Sequence, residues 1–226
     1  MHALMLQRWH EISFFHWSCD PKVLQQRLPE GLQVDTFDNK AWISLTPFLL
    51  TGLRPPLFPR TLGLTFPEMN LRTYVLGPAG PGIWFFSLDA ARLSAVLGAR
   101  ATFGLPYFRA TMMVNLSATE NLYFSRRSER AKAIIRIAKE TPIRQQSNLD
   151  IFLTARFRLY SLHRRRLITA EVEHATWELN RVRILEFEES VRDAMGLYSP
   201  SNDFLAHHSE GVDTRIGFPK SCPDKR

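Results

Sequence analysis

Cysteine is nearly absent from the 226 residues. Only Cys19 and Cys222 occur, at opposite ends and without a Cys-x-x-Cys pair. A disulfide framework and a zinc ribbon are therefore excluded, and a reducing cytoplasm is the expected setting. Long apolar runs are missing too. Nothing approaches the roughly 18 apolar residues of a membrane span, and Met1 to Arg8 carry no basic segment leading into an apolar one, so neither a membrane partner nor a targeting signal is expected. Lysine is scarce: Lys22, Lys40, Lys132, Lys139, Lys220 and Lys225 are the whole set, and none lies between 41 and 131. An imine-forming lysine needs its pKa depressed by an apolar pocket or a neighbouring cation. Lys22, Lys40, Lys132 and Lys139 sit in polar or basic surface patterns that offer neither.

Hydrophobic residues make up 45% and aromatic residues 12%, with 16 Phe and 5 Trp, enough apolar surface for a sizeable core. One domain over 1–226 is expected, with a polar C-terminal tail from about residue 199. The net charge of +7 is local: residues 126 to 183 carry 14 Lys/Arg against 6 Asp/Glu.

Asp20-Pro21 reads as an N-cap followed by a proline at the first helical position, opening a short helix that Pro29 and Gly31 end. Apolar alternation over 32–37 and 41–48 around Asp38-Asn39-Lys40 predicts a hairpin. The proline-rich stretch 54–67 reads as loop. A second hairpin is predicted for 70–75 and 83–88, because the glycines and prolines of 77–82 can only turn. Residues 90–103 predict the longest helix, stopped by Gly104 and Pro106. Short β-like runs follow at 110–116, 121–126 and 132–138. Next comes an alternating pair, 151–159 and 167–178, whose arginines would face Glu171 and Glu173 across a basic turn. A last helix is predicted from about Glu188 to Met195. Strands interrupted by two or three helices define an α+β fold with a mainly antiparallel sheet, and many short strands favour a barrel or cone.

One set of segments is specific. It comprises His16-Trp17, Leu28-Pro29-Glu30-Gly31-Leu32, Phe66 to Tyr74, Ile83 to Asp89, Phe103 to Phe108 and Phe152 to Tyr160, with His174 and Trp177 later. Across nearly the whole chain it resembles the YqjF-like family of unknown function, which is grouped by fold with acetoacetate decarboxylase. The resemblance implies an antiparallel β-barrel with helices outside and a small-ligand cavity within. It places Glu68 at the decarboxylase's glutamate. Gly104-Leu105-Pro106-Tyr107 stands in its lysine motif, with tyrosine in the lysine's place. Gly217-Phe218-Pro219-Lys220 copies that motif literally, but in a polar end expected to fray.

Glu68, Arg72 and Tyr107 are the candidate catalytic residues: a buried acid, a cation for an anionic group and a hydrogen-bond donor. Residues i and i+4 on a strand share a face, so an internal Glu68–Arg72 ion pair needs the same geometry. Trp42, Trp84, Phe86 and His16 are the candidate ligand-binding residues. His10, His16 and His207-His208 lack a third ligand at metal spacing, and neither a metal nor a cofactor is expected. No Gly-x-Ser-x-Gly occurs, so a serine hydrolase has no support. Arg126-Arg127 and Arg164-Arg165-Arg166 read as solvated turns, and without a recognised motif a nucleic-acid partner is disfavoured. The leading expectation is a barrel that binds a small, anionic or carbonyl-bearing molecule and acts as an acid/base enzyme of lyase or hydrolase kind, with a homo-oligomer allowed. The alternative is a non-catalytic binding or regulatory domain whose basic face at 126–166 meets an acidic partner or nucleic acid.

Overall fold

Strands dominate the computed structural model, which describes residues 2–198 and 203–223. Strand β1 (Ala3–Cys19) leads through α1 (Pro21–Gln25) and β2 (Gln33–Val34) to β3 (Ala41–Arg54). A 3-10 turn at Arg60–Leu62 precedes β4 (Leu64–Gly77), β5 (Gly80–Ala90) and α2 (Leu93–Phe103). Then come β6 (Tyr107–Arg109), β7 (Thr111–Leu116), β8 (Glu120–Ser128) and β9 (Ala131–Pro142). The chain continues through α3 (Asn148–Thr154), β10 (Arg158–His163), β11 (Arg166–His174), β12 (Asn180–Glu189), α4 (Val191–Ala194), β13 (Leu205–Gly217) and β14 (Lys220–Ser221).

Seven strands close on themselves in the order β11-β10-β5-β4-β3-β1-β13, and β13 pairs back onto β11 at Val172↔Ile216, Glu173↔Arg215 and His174↔Thr214. Closure removes the unpaired edges that an open sheet would expose. Within the ring every pairing is antiparallel except β10 with β5. From β13 a wing of β12-β9-β8-β7 extends. It covers the outer face of the barrel, packing Tyr123, Ile135 and Ile137 against Phe15, Trp17, Ile43, Leu45 and Leu71. The α+β architecture and the barrel are as the sequence suggests, but the described residues form four α-helices where two or three were expected.

Two features of the ring depend on backbone geometry. Glu11 on β1 has a φ of +50°, and Gly211 on the adjacent β13 has a φ of +114°. A Cβ at Gly211 would collide with the Trp9 backbone, so only glycine fits. This paired kink shifts the phase of β1, so that Trp9 and Ile12 both face the interior. Gly104 ends α2 in the left-handed conformation, where a side chain would strike the Leu162 backbone.

Several expectations need correction. Segment 33–34 pairs with β4 rather than with β3; Asp38 and Asn39 close only the single bridge Phe37↔Lys40, and the Asp35 amide bonds to the Tyr74 carbonyl. Residues 148–154 form a helix, because Ser147 and Asp150 make a reciprocal capping box that local alternation does not reveal. Arg158 does stand opposite Glu171 on the shortened strand. The last helix is only four residues, since β12 runs on to Glu189. The largest correction concerns the supposed polar tail. Among its described residues, β13 lies in the barrel wall between β1 and β11, and Lys220 continues as a strand partner of Thr169. His207, His208, Ser209 and Thr214 are buried although polar, so hydrophobic patterning could not identify the strand.

Candidate active site

Strand alternation builds the site. On β4 the residues Leu64, Phe66, Glu68, Asn70 and Arg72, every second position, point into the barrel and line a cavity of about 530 Å³. Thr46, Phe48 and Leu50 of β3 do the same. Ala95, Gly98 and Ala99 of α2 form part of its wall, and their small size leaves room for the hollow. Trp9, Trp177 and His174 supply an aromatic wall, with the two indoles stacked at 5.9 Å and His174 5.1 Å from Trp177.

Glu68, Arg72 and Tyr107 all reach this cavity. The Tyr107 hydroxyl donates to Glu68 Oε2 at 3.0 Å. Burial pushes the Glu68 carboxyl up to about 7, against the opposing hydrogen bonds from Tyr107 and Asn70. Burial also raises the Tyr107 phenol well above its ordinary value, helped by the neighbouring carboxylate. Arg72 is 7% exposed, and burial lowers its pKa. Among the described residues no carboxylate pairs with it: Tyr74 is its hydrogen-bonding neighbour, its Nε has no partner, and its guanidinium lies 5.6 Å from the Phe14 ring. The internal Glu68–Arg72 ion pair is therefore not formed. Both side chains are instead presented to the same space.

The other candidates lie elsewhere. Ile83 and Phe85 face the cavity, so Trp84 points to the opposite face. Phe86 occupies the bulge where β5 slips against β4, and both join the core beneath the wing. Trp42 shares the inward phase of β3 but sits beyond the cavity floor, packed with Tyr74 and Leu153. His16 is also one layer below the floor. Its Nδ1 contacts Ser44 Oγ at 2.5 Å and Tyr74 Oη at 3.3 Å, and burial pulls its pKa well below the usual histidine value. Arg156 and His174 line the cavity but were not singled out from sequence. The signal for both was their place in the family-like segments. Arg156 pairs with Asp35 at 2.7 Å, and burial lowers the His174 pKa against hydrogen bonds to the Ala175 and Arg156 backbone.

His207 and His208 diverge as neighbours on a strand must. His207 contacts Asp150 at 3.1 Å, whereas His208 Nε2 lies 3.0 Å from Glu11 Oε2 and its Nδ1 3.4 Å from Ser13 Oγ. Ser13–His208–Glu11 thus has the connectivity of a hydrolase triad. Ser13 and His208 are both 0% exposed, and neither lines the cavity that holds Glu68 and Arg72. Asn121 and Lys139 also donate to Glu11, at 2.8 and 2.6 Å, which makes the cluster a strut between barrel and wing. Burial raises the Glu11 pKa, but the bonds from His208, Asn121 and Lys139 outweigh it and hold the carboxyl at about 2.

Much of the basic segment is neutralised within the protein: Arg127 pairs with buried Asp89 at 2.6 Å, Arg136 with Glu186, Lys139 with Glu11, and Arg156 with Asp35. No lysine lines the cavity among the described residues. Lys220 is exposed and 3.6 Å from Glu171, and Lys225 lies outside the described residues. No helix among the described residues is long and apolar enough to cross a membrane.

The closed barrel with its flanking wing has the fold of acetoacetate decarboxylase-like proteins, as the solved structures show. The enduracididine biosynthesis enzyme MppR complexed with pyruvate superimposes with a TM-score of 0.69 at 12% identity, covering 99% of this chain and 92% of that one. An acetoacetate decarboxylase-like enzyme from Sphingomonas wittichii RW1 gives 0.67 at 13% identity, over 100% and 95%. The acetoacetate decarboxylase of Legionella pneumophila gives 0.65 at 13%, over 97% and 88%. At such identities the likeness is one of fold. Residues 6–213 match the model of a family described as an uncharacterized conserved protein, domain of unknown function 2071, and the chain belongs to that family. It is 39% identical over 216 residues to the uncharacterized protein YqjF of Bacillus subtilis (strain 168), covering 93% of this chain and 89% of the relative.

Proposed function

We propose that this barrel binds a small organic anion bearing a carbonyl or carboxylate group and acts on it by acid/base chemistry, without a lysine imine. The observation that carries the reading is Arg72, a buried guanidinium with no carboxylate partner among the described residues, facing a largely apolar cavity. Tyr74 gives this guanidinium a neutral neighbour but no counter-charge, and an anionic ligand would supply one. Glu68 stands on the same strand with a carboxyl held at about 7, in the range where it can both give and take a proton at neutral pH. Tyr107 keeps its proton and orients that carboxyl through its hydrogen bond. Trp9, Trp177 and His174 would flank the bound molecule and exclude water. The pyruvate complex of MppR shows that this fold can hold a small keto acid in a structural relative.

The test is a thermal-shift and turnover screen of keto and carboxylic acids on the wild type, Glu68→Gln and Arg72→Met. Hits should lose affinity in Arg72→Met, and turnover should disappear in Glu68→Gln while binding persists. Hits that keep full affinity and turnover in both variants would show these residues to be structural.

A further inference from the structure

Pairing of β3 with β4 stacks the cavity wall in layers. Counted upward from the floor, Arg72 stands opposite Ser44, Asn70 opposite Thr46, Glu68 opposite Phe48, Phe66 opposite Leu50 and Leu64 opposite Leu53. All five β4 side chains of this ladder line the cavity, so the change of chemistry along it belongs to the hollow itself. It runs from polar to apolar. Glu68, Asn70 and Arg72 make the lower part polar, and two buried atoms there, Arg72 Nε and Asn70 Oδ1, lack a hydrogen-bond partner among the described residues. The upper layers of the ladder hold only Phe66, Leu50, Leu64 and Leu53. From Arg72 to Leu64 is eight residues, or about 26 Å along the strand at roughly 3.3 Å per residue, far longer than a keto acid of pyruvate's size.

Helix α2 leaves the apolar end open. Its Val96 packs in one cluster with Leu50 and Phe66, with Ala95, Leu53 and Leu64 against it, which sets the helix at the level of the upper layers. Ser94, Gly98 and Thr102, four residues apart, share one face of the helix and line the cavity. A Cβ placed on Gly98 would meet no atom within 4 Å. Beyond Leu53 and Leu64 the segment 55–62 carries the apolar wall outward: Phe58 and Leu62 line the cavity yet are 56% and 66% exposed. Arg54, at the end of β3, directs its guanidinium to the Phe58 and Gly52 carbonyls. Large apolar groups exposed at the rim of a hollow mark a ligand path and not a sealed core. We infer that the ligand is a medium-chain aliphatic carboxylate, with its acid head at Arg72 and its chain running past Phe66 and Leu64 to a mouth framed by Phe58, Leu62 and α2. This assignment rests on the proposed role of Arg72 and adds to it the substrate class and the direction in which the molecule lies.

Calorimetric titration of butanoate and octanoate tests it on the wild type, on Arg72→Met and on Gly98→Phe. Each buried methylene is worth up to about fourfold in affinity, so octanoate should bind the wild type about tenfold more tightly than butanoate, or better. Gly98→Phe sets a ring in the path of the chain and replaces a poor helix former. It should weaken octanoate about tenfold more than butanoate, whereas Arg72→Met should weaken both. Octanoate that binds the wild type no better than butanoate overturns the apolar channel, and this comparison stands whether or not the variant folds. An advantage undiminished in folded Gly98→Phe overturns it too. Either result leaves the reading of Arg72 intact where Arg72→Met still weakens both acids. If both acids bind Arg72→Met as they bind the wild type, or neither binds the wild type, the Arg72 reading and this inference fall together.

Discussion

The Tyr107 hydroxyl, 3.0 Å from Glu68 Oε2, bonds a carboxyl that burial has brought to the middle of the neutral range. The folded protein retains this proton up to about pH 7, whereas an unfolded chain releases it near 4.5. Between those values the folded state binds more protons, so the Glu68 contribution to stability is present at low pH and is lost as pH rises. The size is on the order of 3 kcal/mol, at about 1.4 kcal/mol per unit. Glu68→Gln keeps the shape and an acceptor for Tyr107 without the ionisation. Relative to wild type it should gain stability between pH 4 and pH 8, as measured by denaturant unfolding. A difference that stays flat with pH would refute the buried acid.

Borohydride reduction in the presence of acetoacetate or pyruvate should leave the mass of the intact protein unchanged. No lysine lines the cavity among the described residues, and Lys220 is exposed beside Glu171. A stable adduct on any lysine, found by mass spectrometry, would overturn the proposal that the barrel acts without an imine.

Glu11 has the opposite pH signature. Its folded value of about 2 lies below the ordinary 4.5, so the stability it contributes is complete above about pH 4.5 and is lost as pH falls toward 2. Glu11→Gln should cost up to about 3 kcal/mol at pH 7 and nothing near pH 2. Acid titration of both proteins followed by tryptophan fluorescence would show the curves converging. If the cost were the same at both ends, the bonds from His208, Asn121 and Lys139 would not be acting through the charge.

Ser13 should not react with a fluorophosphonate probe under native conditions, despite its contact with His208. A nucleophile needs a path for its substrate, and Ser13 is fully buried. Labelling of Ser13 at neutral pH, located by peptide mapping, would expose an opening of the strut between barrel and wing.

The sequence by itself determined a good deal. Turn chemistry at 77–82 and alternation on either side set the β4–β5 hairpin, and the same alternation placed Glu68 and Arg72 on one face. The Gly104 stop marked the end of α2, and the family-like segments pointed to a barrel. These features are local, with periods and caps readable in a few residues. The tertiary structure alone decided the rest. Trp84 and Phe86 have the composition of a ligand wall, but the phase of β5 and its bulge turn them to the wing, and that phase is set by pairing with β4. Trp42 and His16 face inward, yet a cavity floor between layers cannot be read from alternation along one strand. β13 escaped notice because many of its buried side chains are polar, and His207 and His208 meet Asp150, Glu11 and Ser13, residues distant in sequence. Hydrophobic patterning reports transfer from water to an apolar interior. It is silent where the interior a residue enters is itself polar.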